Sequence, residues 1–169
     1  MADKVTAIKR SKLAEFLNVA PGTTQPTWAR IGQGVAENSI SYNANVVTET
    51  FIHQDNASNS VDSYAPQIPV TQYAYKGDKV FDFVDGLRKK RATGSDCETQ
   101  LLIVYIYDTE DDTNYGAELN EVSIQVDSFG GTGGERNQIG YNILFNGDPT
   151  EGKATIAAGV PTFKANSEA

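Results

Sequence analysis

Trp28-Ala-Arg-Ile-Gly-Gln-Gly34, Ser39-Ile-Ser-Tyr-Asn43, Val46-Val-Thr-Glu-Thr-Phe-Ile-His53 and Gly77-Asp-Lys-Val-Phe-Asp-Phe83 follow one another in the stretch Trp28 to Arg91, and their reading decides the fold. Ile40 and Tyr42 alternate with polar Ser39, Ser41 and Asn43, the period of a strand. In the next run Val47, Glu49, Phe51 and His53 share one face, and Val46, Thr48, Thr50 and Ile52 share the other. Neither face is cleanly apolar, so both faces of this strand are in use. Gln54 to Ser60 is a polar, turn-rich tip. Val61 to Tyr64 and Gln67 to Lys76 are again extended, and Pro66 and Pro69 place the second of these at a sheet edge or bend. One helix follows, Asp78 to Lys90. Asp78 can accept bonds from first-turn amides. Val80, Phe81, Val84 and Leu87 form its apolar stripe with Phe83 beside it, and Thr93-Gly94-Ser95 ends it.

Working outward, Leu101-Leu-Ile-Val-Tyr-Ile-Tyr107 is apolar throughout, which predicts a central strand covered on both faces. Asp108 to Gly116 reads as an acidic loop. Glu121 to Asp127 alternates, with Val122, Ile124 and Val126 inward. Gly130 to Gly134 is a loop, Ile139, Tyr141, Ile143 and Phe145 mark the next strand, and Asn146-Gly-Asp-Pro149 has the composition of a turn. Ala154 to Ala157 and Val160 to Phe163 close the sheet. Upstream, Leu13 to Val19 has helical spacing at Leu13, Phe16 and Leu17 but is short and followed by Pro21-Gly22. Residues 1–12 read as a polar, basic, flexible arm and residues 164–169 as a polar tail. The expectation is a single mainly β domain over residues 1–169, a sandwich with one flanking helix.

The chain has 169 residues and a net charge of −8, enough length for one good core. The acidic balance argues against nucleic-acid binding, which needs clustered Lys and Arg to displace counterions from phosphates. Its two basic clusters are Lys9-Arg10-x-Lys12 and Arg88-Lys-Lys-Arg91, and the second complements the negative end of a helix. Cys97 is the only cysteine, so no intrachain disulfide forms. Met1-Ala-Asp-Lys-Val is too polar to open a secretory signal, and no apolar run approaches membrane-spanning length. The expectation is a soluble chain made in the cytoplasm.

Chemistry-bearing motifs are weak. Gly147-Asp-Pro-Thr-Glu-Gly152-Lys153 matches seven positions of a phosphate-binding loop, but Ala154 stands where Ser or Thr must hold magnesium, and no helix can follow. A hairpin turn is the better reading. Asp108-x-Glu110-Asp111-Asp112-x-Asn114 has the composition of a calcium loop without its central glycine, and Glu118 falls early. His53 is the only histidine, and neither a nucleophile elbow nor a zinc ligand set accompanies it. No catalytic residue, cofactor or metal is expected. Asn56-Ala-Ser58 is a formal glycosylation sequon that reads as a turn.

Trp28-x-Arg30-x-Gly32-x-Gly34, Ile40-x-Tyr42-Asn43, Thr50-Phe51-Ile52-His53 and Gly77-Asp78-x-Val80-Phe81-Asp82-Phe83, in this order, resemble the tail tube (major tail) protein of long-tailed bacteriophages. The resemblance favours a strand at Leu13–Val19 paired with Thr27–Ile31. It implies the tail tube fold, a β-sandwich or barrel with one flanking α-helix that secretion-system tube proteins share. It further implies a structural virion protein whose hexameric rings stack into a conduit for DNA ejection, with no catalysis. The strand pairs around Val46–His53 and Val61–Tyr75 would line the lumen, with Glu49, Asp55 and Asp62 as candidates to face it and repel phosphates. Phe51, His53, Asn56, Tyr64, Tyr73 and Tyr75 are interface candidates, and Val80, Phe81, Val84 and Leu87 are the helix-packing set. The loop Gln54 to Ser60, the N-terminal arm and the C-terminal tail would reach adjacent rings. The implied partners are copies of itself, tail terminator, tape measure and baseplate-type proteins, and DNA passing without specific binding, with no membrane involved. The alternatives are the tube protein of a contractile injection or secretion system, and a β-sandwich that binds a small ligand at a concave site built from Tyr64, Tyr73, Tyr75, Tyr105 and Tyr107.

Overall fold

The computed structural model describes residues 4–167. Strands run over Leu13–Asn18 (β1), Trp28–Arg30 (β2), Asn45–Glu49 (β3), Ser58–Ser63 (β4), Gln67–Tyr73 (β5), Glu98–Thr109 (β6), Tyr115–Gly130 (β7), Gln138–Ala157 (β8) and Val160–Ala165 (β9). One α-helix, Lys79–Lys90 (α1), stands between β5 and β6. Short 3-10 turns precede β1 and β6. The fold is mainly β with one helix.

Seven strands make one antiparallel sheet in the order β2-β1-β6-β7-β8-β5, with β9 also on β8. The long strand β8 carries two partners along one edge: residues 138–144 pair with β5 and residues 152–157 with β9. The sheet curls until β9 approaches β2, which nearly closes a barrel. Inside it lie Ala14, Phe16, Leu102, Val104, Ala117 and Ala154, with Trp28, Leu119 and Phe163 packed around them. The other face of the same strands buries Leu17, Leu101, Ile103, Val122, Ile124 and Ile143 under β5, α1 and the segment that carries Ile31 and Ile40. Strand β6 is apolar on successive residues because each face has its own core: Leu101 and Ile103 serve one, Leu102 and Val104 the other. Leu13–Asn18 is a strand for the same reason, since a helix could not cover both faces of so short a run.

Helix α1 starts where its sequence says. The Asp78 carboxylate accepts a bond from the Phe81 amide at 2.9 Å. Val80 and Val84 are fully buried, Phe81 nearly so, and Leu87 packs partly against the same core. The helix ends at Lys90, as its sequence reading has it, before Thr93-Gly94-Ser95. Arg91 adopts the left-handed conformation (φ 49°), and its amide bonds back to the last turn.

The structure corrects several boundaries. Asn146-Gly-Asp-Pro149 is not a turn, and the Gly147–Lys153 motif is not a hairpin: both lie within β8. Leu119 and Glu121 of β7 oppose Thr150 and Asn146, so two steps on β7 face four on β8, and the extra residues form a bulge. Gly147 there has φ +71°, and turn chemistry and bulge chemistry need the same positive-φ glycine. The hairpin falls at Ala158-Gly159, both at positive φ (51° and 77°), the two-residue turn that matches strand twist. Strand β3 stops at Glu49, so Phe51–His53 belong to the tip, and β4 begins at Ser58, inside the expected loop Gln54–Ser60. Lys164 and Ala165 pair with Lys153 and Gly152, so β9 takes residues from the expected tail. In the expected arm, Arg10–Lys12 form a 3-10 turn. Residues 1–3 and 168–169 lie outside the described residues. Strand β5 is an edge strand of the main sheet, as Pro66 and Pro69 suggest. It does not continue the β3–β4 ribbon.

Candidate functional site

The β3–β4 hairpin is the exception to the compact sheet. It forms its own two-stranded sheet, and nearly every residue in it is exposed. Val46 faces Val61 across the strands, both 53% exposed, and Phe51 and Ile52 crown the tip, Ile52 wholly in solvent. Two-stranded ribbons are marginal alone, and here apolar side chains on both faces have nothing to cover them.

The candidate residues fall at different heights on this ribbon. Glu49 ends β3 opposite Ser58, Asp55 sits in the tip, and Asp62 occupies a β-bulge near the root. All three are exposed. At the tip the exposed Phe51 ring stacks on His53 with centroids 6.2 Å apart, near an exposed Asn56. Tyr64, at the root, meets Tyr42 edge-on at 6.4 Å. Tyr73 and Tyr75 are half-buried. The Arg136 guanidinium lies over the Tyr73 ring (4.7 Å), and Arg136 Nη1 donates to the Tyr75 hydroxyl at 2.6 Å.

Below the root lies a cleft of about 790 Å³ between the hairpin, β6 and the bulge of β8. Ile40, Tyr42, Tyr64, Ile103 and Phe145 supply apolar wall, and Asp62, Glu118 and Asp148 supply acids. Burial raises the pKa of the Tyr105 phenol, and Glu118 beside it adds to the effect. Tyr42 is raised by the same pair of causes in the same order. Tyr105 and Tyr107 meet edge-on at 5.8 Å. The five tyrosines of the ligand-site alternative therefore divide between two places rather than lining one concavity. The sequence does not single out Tyr42 or Asn120 for this cleft, because only the curl of the sheet brings residues 42, 64, 103, 120 and 145 together.

No cation site emerges from the acidic loop. The Asp111 carboxylate accepts bonds from the amides and side chains of Thr113 and Asn114 at 2.7 to 3.0 Å. These bonds, that of the Asn114 amide foremost, hold its pKa well below the usual carboxylate range. Among the described residues no cluster of His, Cys, Asp and Glu is arranged to hold a metal, and no helix is long and apolar enough to cross a membrane. The Cys97 thiol donates to the Ala92 carbonyl at 2.9 Å, and burial, then Asp96 and Glu98, raise its pKa, the opposite of an activated nucleophile.

No protein-family model matches the chain, and no curated protein does. Solved structures do match. The tail of an empty GTA particle, computed with helical refinement in C6 symmetry, superposes with a TM-score of 0.61 at 13% identity over 85% of this chain and 98% of the other. The anti-feeding prophage baseplate, 6-fold symmetrised, gives 0.46 at 9% identity over 88% and 97%. At such identities the likeness speaks of architecture, and the first match alone is strong enough to use. A curled seven-stranded sheet, one helix on its outer face and a projecting two-stranded ribbon, superposing over nearly the whole of a tail subunit, give this chain the fold of tail tube proteins.

Proposed function

We propose that this chain is a non-enzymatic structural protein that assembles as hexameric rings stacked into a tail tube, through which DNA is ejected. The observation that carries the reading is the uncovered β3–β4 ribbon. A hairpin that exposes Val46, Val61, Phe51 and Ile52 is explained if neighbouring copies cover it and continue its hydrogen bonding. Joining ribbons edge to edge around an axis makes a closed inner barrel, which removes the free edges. Such a ring is built from heterologous contacts, two different patches of one subunit meeting around the axis. The C6 symmetry of the matching tail supports six as the ring number. The partners on this reading are the chain itself, terminator, tape measure and baseplate-type proteins at the tube ends and in its lumen, and DNA in transit. Its place is the virion tail, after assembly in the host cytoplasm.

Glu49 and Asp55 on the upper hairpin are our lumen candidates. Asp62 belongs to the root, where it lines the cleft. The same architecture suits the tube of a contractile injection system, and a sheath around the purified particle would tell the two apart. Electron microscopy of the purified chain is the direct test. Rings and hollow tubes support the proposal, and a protein that stays monomeric at every concentration and salt, with no tube in the particle, overturns it.

A further inference from the structure

Glu15, on β1, is the only buried carboxylate among the described residues, 2% exposed. Its Oε2 accepts from Arg10 Nη2 at 3.0 Å and from Asn38 Nδ2 at 2.9 Å, and the same Arg10 nitrogen donates to Asn38 Oδ1. Its Oε1 has no partner among the described residues. A buried ion pair is weak as a source of stability, and an incompletely bonded one weaker still, so what Glu15 positions matters more than what it stabilises. It positions Asn38, in the middle of the segment between β2 and β3.

That segment is held at its ends. The Tyr73 amide donates to the Gly34 carbonyl at 3.0 Å, and Ser41 and Gln67 exchange backbone bonds of 2.8 and 2.9 Å. Val35 and Ile40 pack on the core beside these two pins. Residues 36–39 make no backbone–backbone bond among the described residues, and Asn38 supplies their only side-chain bonds. They run between two cavities. One, of about 520 Å³, separates them from Pro69, Val70 and Thr71 of β5, and the other, of about 340 Å³, lies towards Arg10 and Arg30.

Strand β5 has an unused edge behind this segment. Its backbone groups alternate between two sides. Pro66 and Ala74 bond to Phe145 and Asn137 on the β8 side, and Gln67 and Tyr73 bond to Ser41 and Gly34 on the other. Pro69 and Thr71 therefore face the segment too. The Thr71 N–H and C=O find no partner there among the described residues, and Pro69 has no N–H to offer. We infer that residues 36–39 are a strap guarding the outer edge of β5, that the Arg10–Glu15–Asn38 clasp keeps it closed, and that the opened edge pairs with the same edge of a second copy. Two such edges are self-complementary when antiparallel about Thr71. The two Thr71 residues exchange both bonds, and each Tyr73 amide donates to the Pro69 carbonyl opposite. A loop laid over a sheet edge is a known defence against such pairing. The closed strap leaves self-association to other surfaces, and it does so whether or not rings form.

The test uses the full chain with Glu15→Gln, an isostere without the charge, and separately Asn38→Ala, which removes the clasp from the half-buried side. Each should raise hydrogen exchange at the Gln67 and Tyr73 amides at least tenfold and leave the β6 amides unchanged. Sedimentation should show a dimer that the parent lacks at the same concentration. Adding Thr71→Pro, which removes the free edge amide, should abolish that dimer. Should Glu15→Gln fail to fold, Asn38→Ala carries the test alone. Unchanged exchange in Asn38→Ala overturns the clasp. Faster exchange without a dimer, or a dimer indifferent to Thr71→Pro, overturns the guard. Rings and tubes of the parent chain test the assembly proposal separately, and none of these outcomes alters that result.

Discussion

Gln72 shows how one residue can hold three elements. It is fully buried on β5, its Nε2 donates to the Gln33 carbonyl and to the Asp78 carboxylate, each at 2.9 Å, and its Oε1 accepts from the Tyr141 hydroxyl at 3.2 Å. The helix cap, the edge strand and its sheet neighbour β8 are thus tied by one side chain. Gln72→Leu should cost about 1–3 kcal/mol for each group left unpaired, whereas Gln72→Glu should be tolerated only at acidic pH; chemical denaturation of both variants checks this. Tyrosines supply a second prediction. Burial raises the pKa of Tyr105, with Glu118 adding to it, and burial raises that of Tyr141, with Asp78 and Glu15 adding. A folded-state pKa above the unfolded value of about 10 means full stability below that pH and loss as pH climbs past it. Absorbance at 295 nm should therefore show two of the eight tyrosines titrating only together with unfolding. Smooth titration of all eight before the fold melts would contradict the burial.

Elements differ sharply in how they are held. Strand β6 is locked between two cores, while the β3–β4 ribbon touches neither. Local stability follows buried apolar contact, so amides of residues 45–63 in the free chain should exchange within seconds and become protected on assembly. Equal protection in both states would mean that assembly leaves the ribbon uncovered. The ribbon's charges allow a functional prediction. Glu49→Lys with Asp55→Lys should leave tubes that form but slow or retain DNA at low salt, with recovery at high salt, because the Debye length falls from about 10 Å at 0.1 M to 3 Å at 1 M. Genome ejection followed by fluorescence reads it, and unchanged ejection at low salt would take these acids away from the channel. Asp62→Lys at the root should instead affect assembly.

At the scale of the whole molecule, the β3–β4 projection leaves Val46, Phe51, Ile52 and Val61 exposed together. Ile52 is wholly exposed, so Ile52→Asp should leave thermal unfolding of the monomer unchanged, within about 0.5 kcal/mol as for surface substitutions generally. The same change should suppress polymers in light scattering at high concentration. If the variant polymerises as the parent does, the tip is not part of the ring or stack.

Much of this arrangement was legible in order and period alone. The capped helix with Val80, Phe81 and Val84 inward, the doubly apolar Leu101–Tyr107, the alternation of Val122, Ile124 and Val126 and the edge character of a strand starting with Pro66 and Pro69 are local signals, because capping, periodicity and proline act over a few residues. What the tertiary structure decided is non-local. Asn146-Gly-Asp-Pro149 carries the same dihedral demand in a turn and in a bulge, and only the pairing of β7 with both ends of β8 selects the bulge. Asp62, Tyr64, Glu118, Asn120 and Asp148 share no sequence pattern. They line one cleft because a long strand bends, a sheet curls and a hairpin leaves it, and each of those depends on contacts between residues far apart in the chain.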